Sequence, residues 1–188
     1  AQHYGLYSQN ERVEELIIDN GRVRGVRVLG EAIHAGNVII AGGAWSAAFG
    51  AQLGCNIPVE PQRGQIIHLQ LPETDTTNWA IVEAFHGHYM VAWQDRRVVA
   101  GATRETGSGF TPHTTAVGVR EVLDEALRVA PGLKDAVIGE IRVGLRPRTA
   151  DNMPVLGSVP GVEGVYLSTG HGASGLQLGP FSGKLAAE

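Results

Sequence analysis

Cysteine occurs once in these 188 residues, at Cys55. A single thiol excludes an internal disulfide and any cysteine-built metal cluster, so a reducing, cytoplasmic setting is expected. Cys55 also lacks a neighbouring base and reads as an inert buried thiol. Aromatic residues make up 6% of the chain, too few for stacking platforms on single-stranded nucleic acid. Basic charge is not in excess: 15 Lys and Arg against 19 Asp and Glu give a net charge of −4. Those basic residues are scattered, which excludes a nucleic-acid footprint and a polybasic membrane patch. No apolar run reaches membrane-spanning length. The start, Ala1-Gln2-His3-Tyr4-Gly5, has neither the basic nor the apolar region of a signal peptide. There is no initiator methionine and the chain begins mid-pattern, so a piece of a longer protein is expected. No His/Cys/Asp cluster has metal spacing, and no Ser-His-Asp order stands out.

What is present is ordinary for a soluble globular domain: 43% hydrophobic and 18% charged residues. Glycine, at 26 residues, is the outlier and implies many close backbone approaches, as in proteins that wrap an extended cofactor. Asn20-Gly21 between two β-rich runs predicts a hairpin over 13–28, because both turn residues need positive φ. The apolar run 37–41, ending in Gly42-Gly43, reads as a strand buried on both faces, followed by a helix from Ala44 to Leu53 stopped by Gly54. From Pro58 the pattern becomes antiparallel β, with strands at 64–71, 79–83, 88–93 and 97–102. Residues 114–129 form the clearest amphipathic helix, closed by Pro131-Gly132. A strand over 135–143, a loop carrying Arg146, a buried strand over 164–169 and a final helix complete the order. Two layers follow: a small β/α layer at 1–57 and 160–188, and an α+β sheet domain at 58–159.

Arg146 in Gly144-Leu145-Arg146-Pro147 combines a permanently charged planar fork with a backbone held between strand end and proline. That suits a carboxylate gripped by two parallel hydrogen bonds; a solvated surface charge is the plain alternative, and Arg148 fits it well. Two glycine-rich strand-to-helix turns, Gly42 to Ser46 and Gly170 to Gly175, aim backbone N–H groups outward. Each is either a cofactor lip or a tight structural turn. Neither is a Gly-x-Gly-x-x-Gly fingerprint or a phosphate loop. His68, His86, His88 and His113 read as surface or strand positions without a catalytic role.

Four segments together resemble the D-amino-acid oxidase and glycine oxidase family of flavoproteins, with its D-amino-acid dehydrogenase relatives. They are Val38 to Ser46; Pro58 to Gln65; Tyr89-Met90-Val91 with Val98 to Thr103; and Gly144 to Gly157 with Thr169-Gly170-His171-Gly172. The resemblance covers almost the whole chain but matches only the C-terminal part of a member. It implies an antiparallel substrate domain with packed helices, plus trailing pieces of a Rossmann-like FAD-binding domain whose N-terminal fingerprint is absent. Arg146 resembles the arginine that pairs with the substrate carboxylate, and Tyr89 the tyrosine that assists it. Gly43, Ala44 and Trp45 resemble a segment lining the FAD, and Arg63 one near the cofactor or domain junction. Gly170, His171, Gly172, Ala173, Ser174, Gly175 and Leu176 resemble the segment meeting the flavin ring through backbone N–H groups. Asp151 is expected to brace the loop behind Arg146.

The implied reaction moves hydride from the α-carbon of a neutral amine to flavin N5, after which the imino acid hydrolyses. No catalytic acid or base is required of the protein, only orientation and electrostatics. Ala173 stands where glycine oxidases carry a second arginine, so glycine is not carried over as the specific substrate; a larger D-amino acid or a secondary amine stays open. Partners implied are a small amino-acid substrate and non-covalent FAD, with a homo-oligomer left open. Lacking the fingerprint, the chain by itself is expected to purify without FAD. The reading from another class is a non-catalytic module that binds a carboxylate ligand or a partner chain.

Overall fold

Asn20 and Gly21 take positive φ, 49° and 73°, and join β1 (Val13–Asp19) to β2 (Arg22–Val28) as an antiparallel pair. A computed structural model describes residues 7–84 and 86–188; the expected leaderless start at Ala1 to Gly5 lies outside them. Leu29 and Gly30, also at positive φ, turn the chain into β3 (Glu31–His34), giving a sheet in the order β1-β2-β3. Gly25 sits where a Cβ would overlap the Ile33 carbonyl, at φ +148°. Gly25→Ala is therefore expected to destabilise by about 1–3 kcal/mol, measured as a lower urea midpoint; an unchanged midpoint would contradict the close approach.

A second sheet holds β4 (Val38–Ile40), β11 (Val155–Ser158) and β12 (Val165–Thr169), with β12 parallel to β4 and antiparallel to β11. The core beneath includes Leu16, Val23, Ile40, Leu53, Ile57 and Val165, with Cys55 half-buried against it. The expectation that 37–41 is buried on both faces does not hold. Ile39 is 45% exposed, because β4 ends its sheet and strand alternation turns Val38 and Ile40, not Ile39, toward the core. The expected helix 44–53 is a 3-10 helix, Gly43–Phe49, leading into one α turn, α1 (Gly50–Leu53). Gly54 ends it in the left-handed conformation, as expected. A 3-10 turn, Gly172–Ser174, opens the last helix, α3 (Gly175–Ala187).

The other sheet has the order β10-β5-β8-β7-β6, with β9 also on β5. Its strands are β5 (Glu60–Gln70), β6 (Val82–Glu83), β7 (Tyr89–Trp93), β8 (Arg97–Gly101), β9 (Glu105–Thr106) and β10 (Val137–Arg148). The expected strand 79–83 shrinks to two residues. Asp75 accepts from Thr77 N and Thr76 O accepts from Trp79 N, which commits 75–79 to a turn. Helix α2 (Ala116–Val129) is capped by Thr115, whose hydroxyl accepts from Gly118 N. Its Val122 and Ala126 pack on Ile67, Leu69, Met90 and Ala100. Since strand side chains alternate, the paired residues Ile66, Gly101 and Tyr89 must lie on the sheet's opposite face.

The described chain divides into two compact units, one running through Val59 and resuming at Arg148 to Glu188, the other Glu60–Pro147. The return comes before residue 160 because β11 pairs with β12. The α+β class, built on antiparallel sheets, agrees with expectation. Among the described residues no helix is long and apolar enough to cross a membrane.

Candidate functional site

On the face of the second unit's sheet away from α2, glycines make room for polar side chains. Tyr89 lies over Gly101, where an added Cβ would come 3.1 Å from the phenol oxygen. The Arg146 guanidinium lies over Gly64 closely enough that a Cβ there would overlap it. Arg146 Nη1 donates to the Thr103 carbonyl at 2.9 Å, and no carboxylate pairs with it among the described residues. Burial lowers the Arg146 pKa from its ordinary value; Tyr89 opposes this and the neighbouring Arg104 charge reinforces it. The group stays charged, since guanidinium does not titrate in the accessible range. The result is a half-buried cation with unspent donors beside a tyrosine hydroxyl that makes no hydrogen bond among the described residues.

Arg146 does not sit in a loop after a strand ending at Val143, as the sequence suggested. It lies inside β10, which continues through Pro147 to Arg148. An edge strand tolerates proline because its outward N–H has no ladder partner to lose. A strand holds the fork more firmly than a loop would.

Arg63, expected near a cofactor, is 7% exposed and committed elsewhere. Its Nη2 and Nε meet Glu105 Oε2 at 2.6 and 3.0 Å, and its Nη1 lies 2.8 Å from His113 Nε2. The other Glu105 oxygen accepts from Gln65 Nε2 at 2.6 Å and Thr103 Oγ1 at 2.7 Å. Gln65, fully buried, also donates to the Thr115 hydroxyl and accepts from Thr115 N. Burial pushes the Glu105 pKa up, but the hydrogen bonds from Arg63, Gln65 and Thr103 outweigh it and hold the carboxyl below the ordinary range. This network fixes Thr103, whose carbonyl holds Arg146. Glu105, Thr103, Thr115 and Arg104 went unselected in the sequence. The available signal was Gly118, a glycine in an otherwise good helix, where a Cβ would overlap Gln65. His68, read as a surface or strand position, is buried in β5 beside Arg97, with its pKa lowered by burial.

The two glycine turns both lie in the first unit. Thr169 Oγ1 donates to the Gly43 carbonyl at 2.9 Å and ties them together. Gly43, Gly170 and Gly172 are at positive φ. Neither the 3-10 helix at Gly43 nor α3 receives a side-chain cap; Trp45 N donates to the Gly42 carbonyl and Ser174 N to the His171 carbonyl. Ser46 Oγ is buried at the first turn without a partner among the described residues, while Trp45 is half-exposed and Leu176 almost fully exposed. His171 uses its ring to reach Ser182 Oγ at 2.9 Å, pinning the turn to α3. Ala173 and Ser174 lie in the 3-10 turn between them. Asp151 accepts from Met153 N, bracing its own turn at 149–153. Among the described residues no group of His, Cys, Asp or Glu is arranged to hold a metal.

The model of the FAD dependent oxidoreductase (DAO) family matches residues 2–188. The uncharacterized oxidoreductase YurR of Bacillus subtilis (strain 168) is 43% identical over 169 residues, covering 89% of this chain and 45% of that protein. The crystal structure of iminodiacetate oxidase from Chelativorans sp. BNC1 superimposes with a TM-score of 0.90 at 47% identity, covering 95% of this chain and 48% of that one. Glycine oxidase of Pseudomonas putida (strain KT2440) is 31% identical, covering 93% and 47%. The chain thus spans about half the length of the relatives it matches.

Proposed function

This chain belongs to the FAD dependent oxidoreductase family, and we propose that it supplies the substrate-binding sheet and part of the cofactor lip of an amino-acid oxidoreductase. The observation that carries this reading is Arg146: a half-buried guanidinium, seated on Gly64 and Thr103, with no carboxylate among the described residues to answer it. A substrate α-carboxylate would take the remaining donors in parallel, with the Tyr89 hydroxyl donating to one of its oxygens.

The unit Glu60–Pro147 is the substrate domain in this reading, and the other unit is a partial FAD-binding domain. The residues of the two turns fit FAD: their positive-φ glycines let a ligand approach the backbone closely, exposed Trp45 offers an apolar surface, and neither turn contains a carboxylate side chain. Gly43, Ala44, Trp45 and Gly170 to Leu176 would hold it. When bound, FAD would supply the acceptor for a hydride from the substrate α-carbon. Arg63, buried in its own ion pair, acts through the scaffold.

Arg146 and Tyr89 fix the carboxylate, and hence the bearing of the α-carbon, which replaces a bimolecular search by one held geometry. The amine reacts neutral, so no side chain need take a proton from carbon. The positive end of the α3 dipole would favour negative charge developing beside it. The substrate is a small amino acid or N-substituted amino acid. The relatives named for glycine and iminodiacetate support a compact amine, and Ala173 leaves room for more than glycine.

Anaerobic mixing of the FAD-loaded full-length parent protein with glycine, sarcosine and D-amino acids tests this. At least one should bleach the flavin absorbance, and the corresponding amine without a carboxylate should not. Flavin that no carboxylate-bearing amine reduces would sink the proposal and leave a binding module.

A further inference from the structure

His86 and His88, which the sequence suggested were plain surface or strand positions, both meet carboxylates of α2. His88 directly precedes Tyr89, and strand alternation puts it on the side of Met90, which packs against Val122 and Ala126. Its Nε2 lies 3.2 Å from Glu121 Oε1, and its side chain is 12% exposed. Neither ring nitrogen completes an aligned hydrogen bond among the described residues, so this contact is one of charge. His86 Nδ1 lies 2.9 Å from Glu125 Oε1. Glu121 and Glu125 stand one helical turn apart on a shared face of α2, so two contacts fasten one short stretch of chain to the helix.

That stretch delivers Tyr89 to β7. Ala84 N donates to the His88 carbonyl at 2.6 Å, and Glu83 pairs across to Tyr89. On the other sheet face Tyr89 stands over Gly101, so the aim of its hydroxyl depends on how this end of β7 is held. The charges near the two histidines come from three elements. From α2 come Glu121, Glu125 and Arg128, whose Nη2 meets Glu125 Oε2 at 2.6 Å, while Arg120 and Asp124 pair with each other. From the β8–β9 connection comes Arg104, whose guanidinium lies over Gly87. From β6 comes Glu83, which is exposed. Hydrogen bonds from Arg128 and then His86 lower the Glu125 pKa to about 2, so that carboxylate persists at working pH. No arginine or lysine bridges Glu121 among the described residues, which leaves His88 as its answering charge.

We propose that His88 and Glu121, with His86 and Glu125 beside them, are positioning residues: they latch the Tyr89 end of β7 to α2 and make carboxylate binding depend on pH. This rests on Arg146 and Tyr89 forming the carboxylate site. Histidine changes charge between about pH 5 and 8. Protonated, His88 answers Glu121 as an ion pair; neutral, it offers only an unaligned ring nitrogen. The latch is therefore closed on the acid side of that range and slack on the alkaline side. The reacting amine must itself be neutral, which favours alkaline pH. The two demands oppose each other and bound the working range.

Methoxyacetate, a carboxylate with no amine to titrate, separates them. Its Kd is read from the perturbed flavin absorbance of the FAD-loaded full-length parent protein. Kd should rise about two- to tenfold from about pH 5.5 to 8.5, the span one hydrogen bond accounts for. His88→Gln should flatten that rise, and so should Glu121→Gln, which changes a half-exposed helix position and leaves the buried packing alone. In a Tyr89→Phe background neither variant should change Kd further, a result that a merely structural role would not give. A rise that survives both variants overturns the latch, as does a variant effect of equal size without the Tyr89 hydroxyl. If methoxyacetate binds, Arg146→Lys weakens it and the wild-type profile is flat, only the latch falls. If methoxyacetate does not bind, or Arg146→Lys leaves Kd unchanged, the carboxylate site falls with it.

Discussion

Arg146→Lys in the FAD-loaded full-length parent is expected to raise KM for every carboxylate-bearing amine by about 2 to 5 kcal/mol, at roughly tenfold per 1.4 kcal/mol. The reason is geometric before it is electrostatic. The guanidinium spends Nη1 on the Thr103 carbonyl and still has a planar edge for two parallel bonds. An ammonium is a point charge, and seating it on Thr103 leaves no fork for the carboxylate. The space over Gly64, shaped to a flat group, would then be partly empty. Because the same contact is made in the ground state and the transition state, KM should carry most of the loss. Arg146→Ala should cost at least as much. Steady-state kinetics on wild type and both variants check this, and a KM unchanged in Arg146→Ala would remove Arg146 from the site.

Parts of the molecule that depend on near neighbours were legible in the sequence. Asn20-Gly21 announces its turn because the required φ values are rare outside such pairs, and α2 announces itself through the apolar stripe that packs on Ile67 and Ala100. β3 was not legible: all four of its residues are exposed, and its turn uses Leu29 at positive φ, a position where leucine gives no signal. β11 was hidden in a Pro- and Gly-rich stretch and exists by pairing with β12. Arg146 was found, but its strand was ended early, since proline reads as a break unless the strand is known to be an edge. The polar network behind it was missed for a different reason. Gln65 meets Glu105 and Thr115 from 40 and 50 residues away, and no local pattern encodes a contact that only the sheet and α2 together create.

That network carries the larger stability prediction. The Arg63 side chain is 8% exposed, and Glu105 is the carboxylate that answers it. Glu105→Ala leaves a buried guanidinium without its counter-charge and strands the donors of Gln65 and Thr103, which is expected to cost about 3 to 5 kcal/mol. Against a typical domain stability of about 5–15 kcal/mol, that is a large share. Glu105→Gln keeps the shape and one acceptor, so its loss should be smaller. The pH dependence gives an independent handle. Glu105 has a folded pKa below its unfolded one, so its contribution is fully present above the ordinary glutamate range and is lost as pH falls through the depressed folded value. Urea unfolding of wild type should weaken over that acid interval, and Glu105→Gln, with no carboxyl to protonate, should weaken less. A Glu105→Ala midpoint within about 0.5 kcal/mol of wild type would mean that water or a rearranged Arg63 replaces the pair. Thr103 would then be held by its two bonds to the Gln65 backbone, Thr103 N to the Gln65 carbonyl and Gln65 N to the Thr103 hydroxyl, and the anchor of Arg146 would not depend on Glu105.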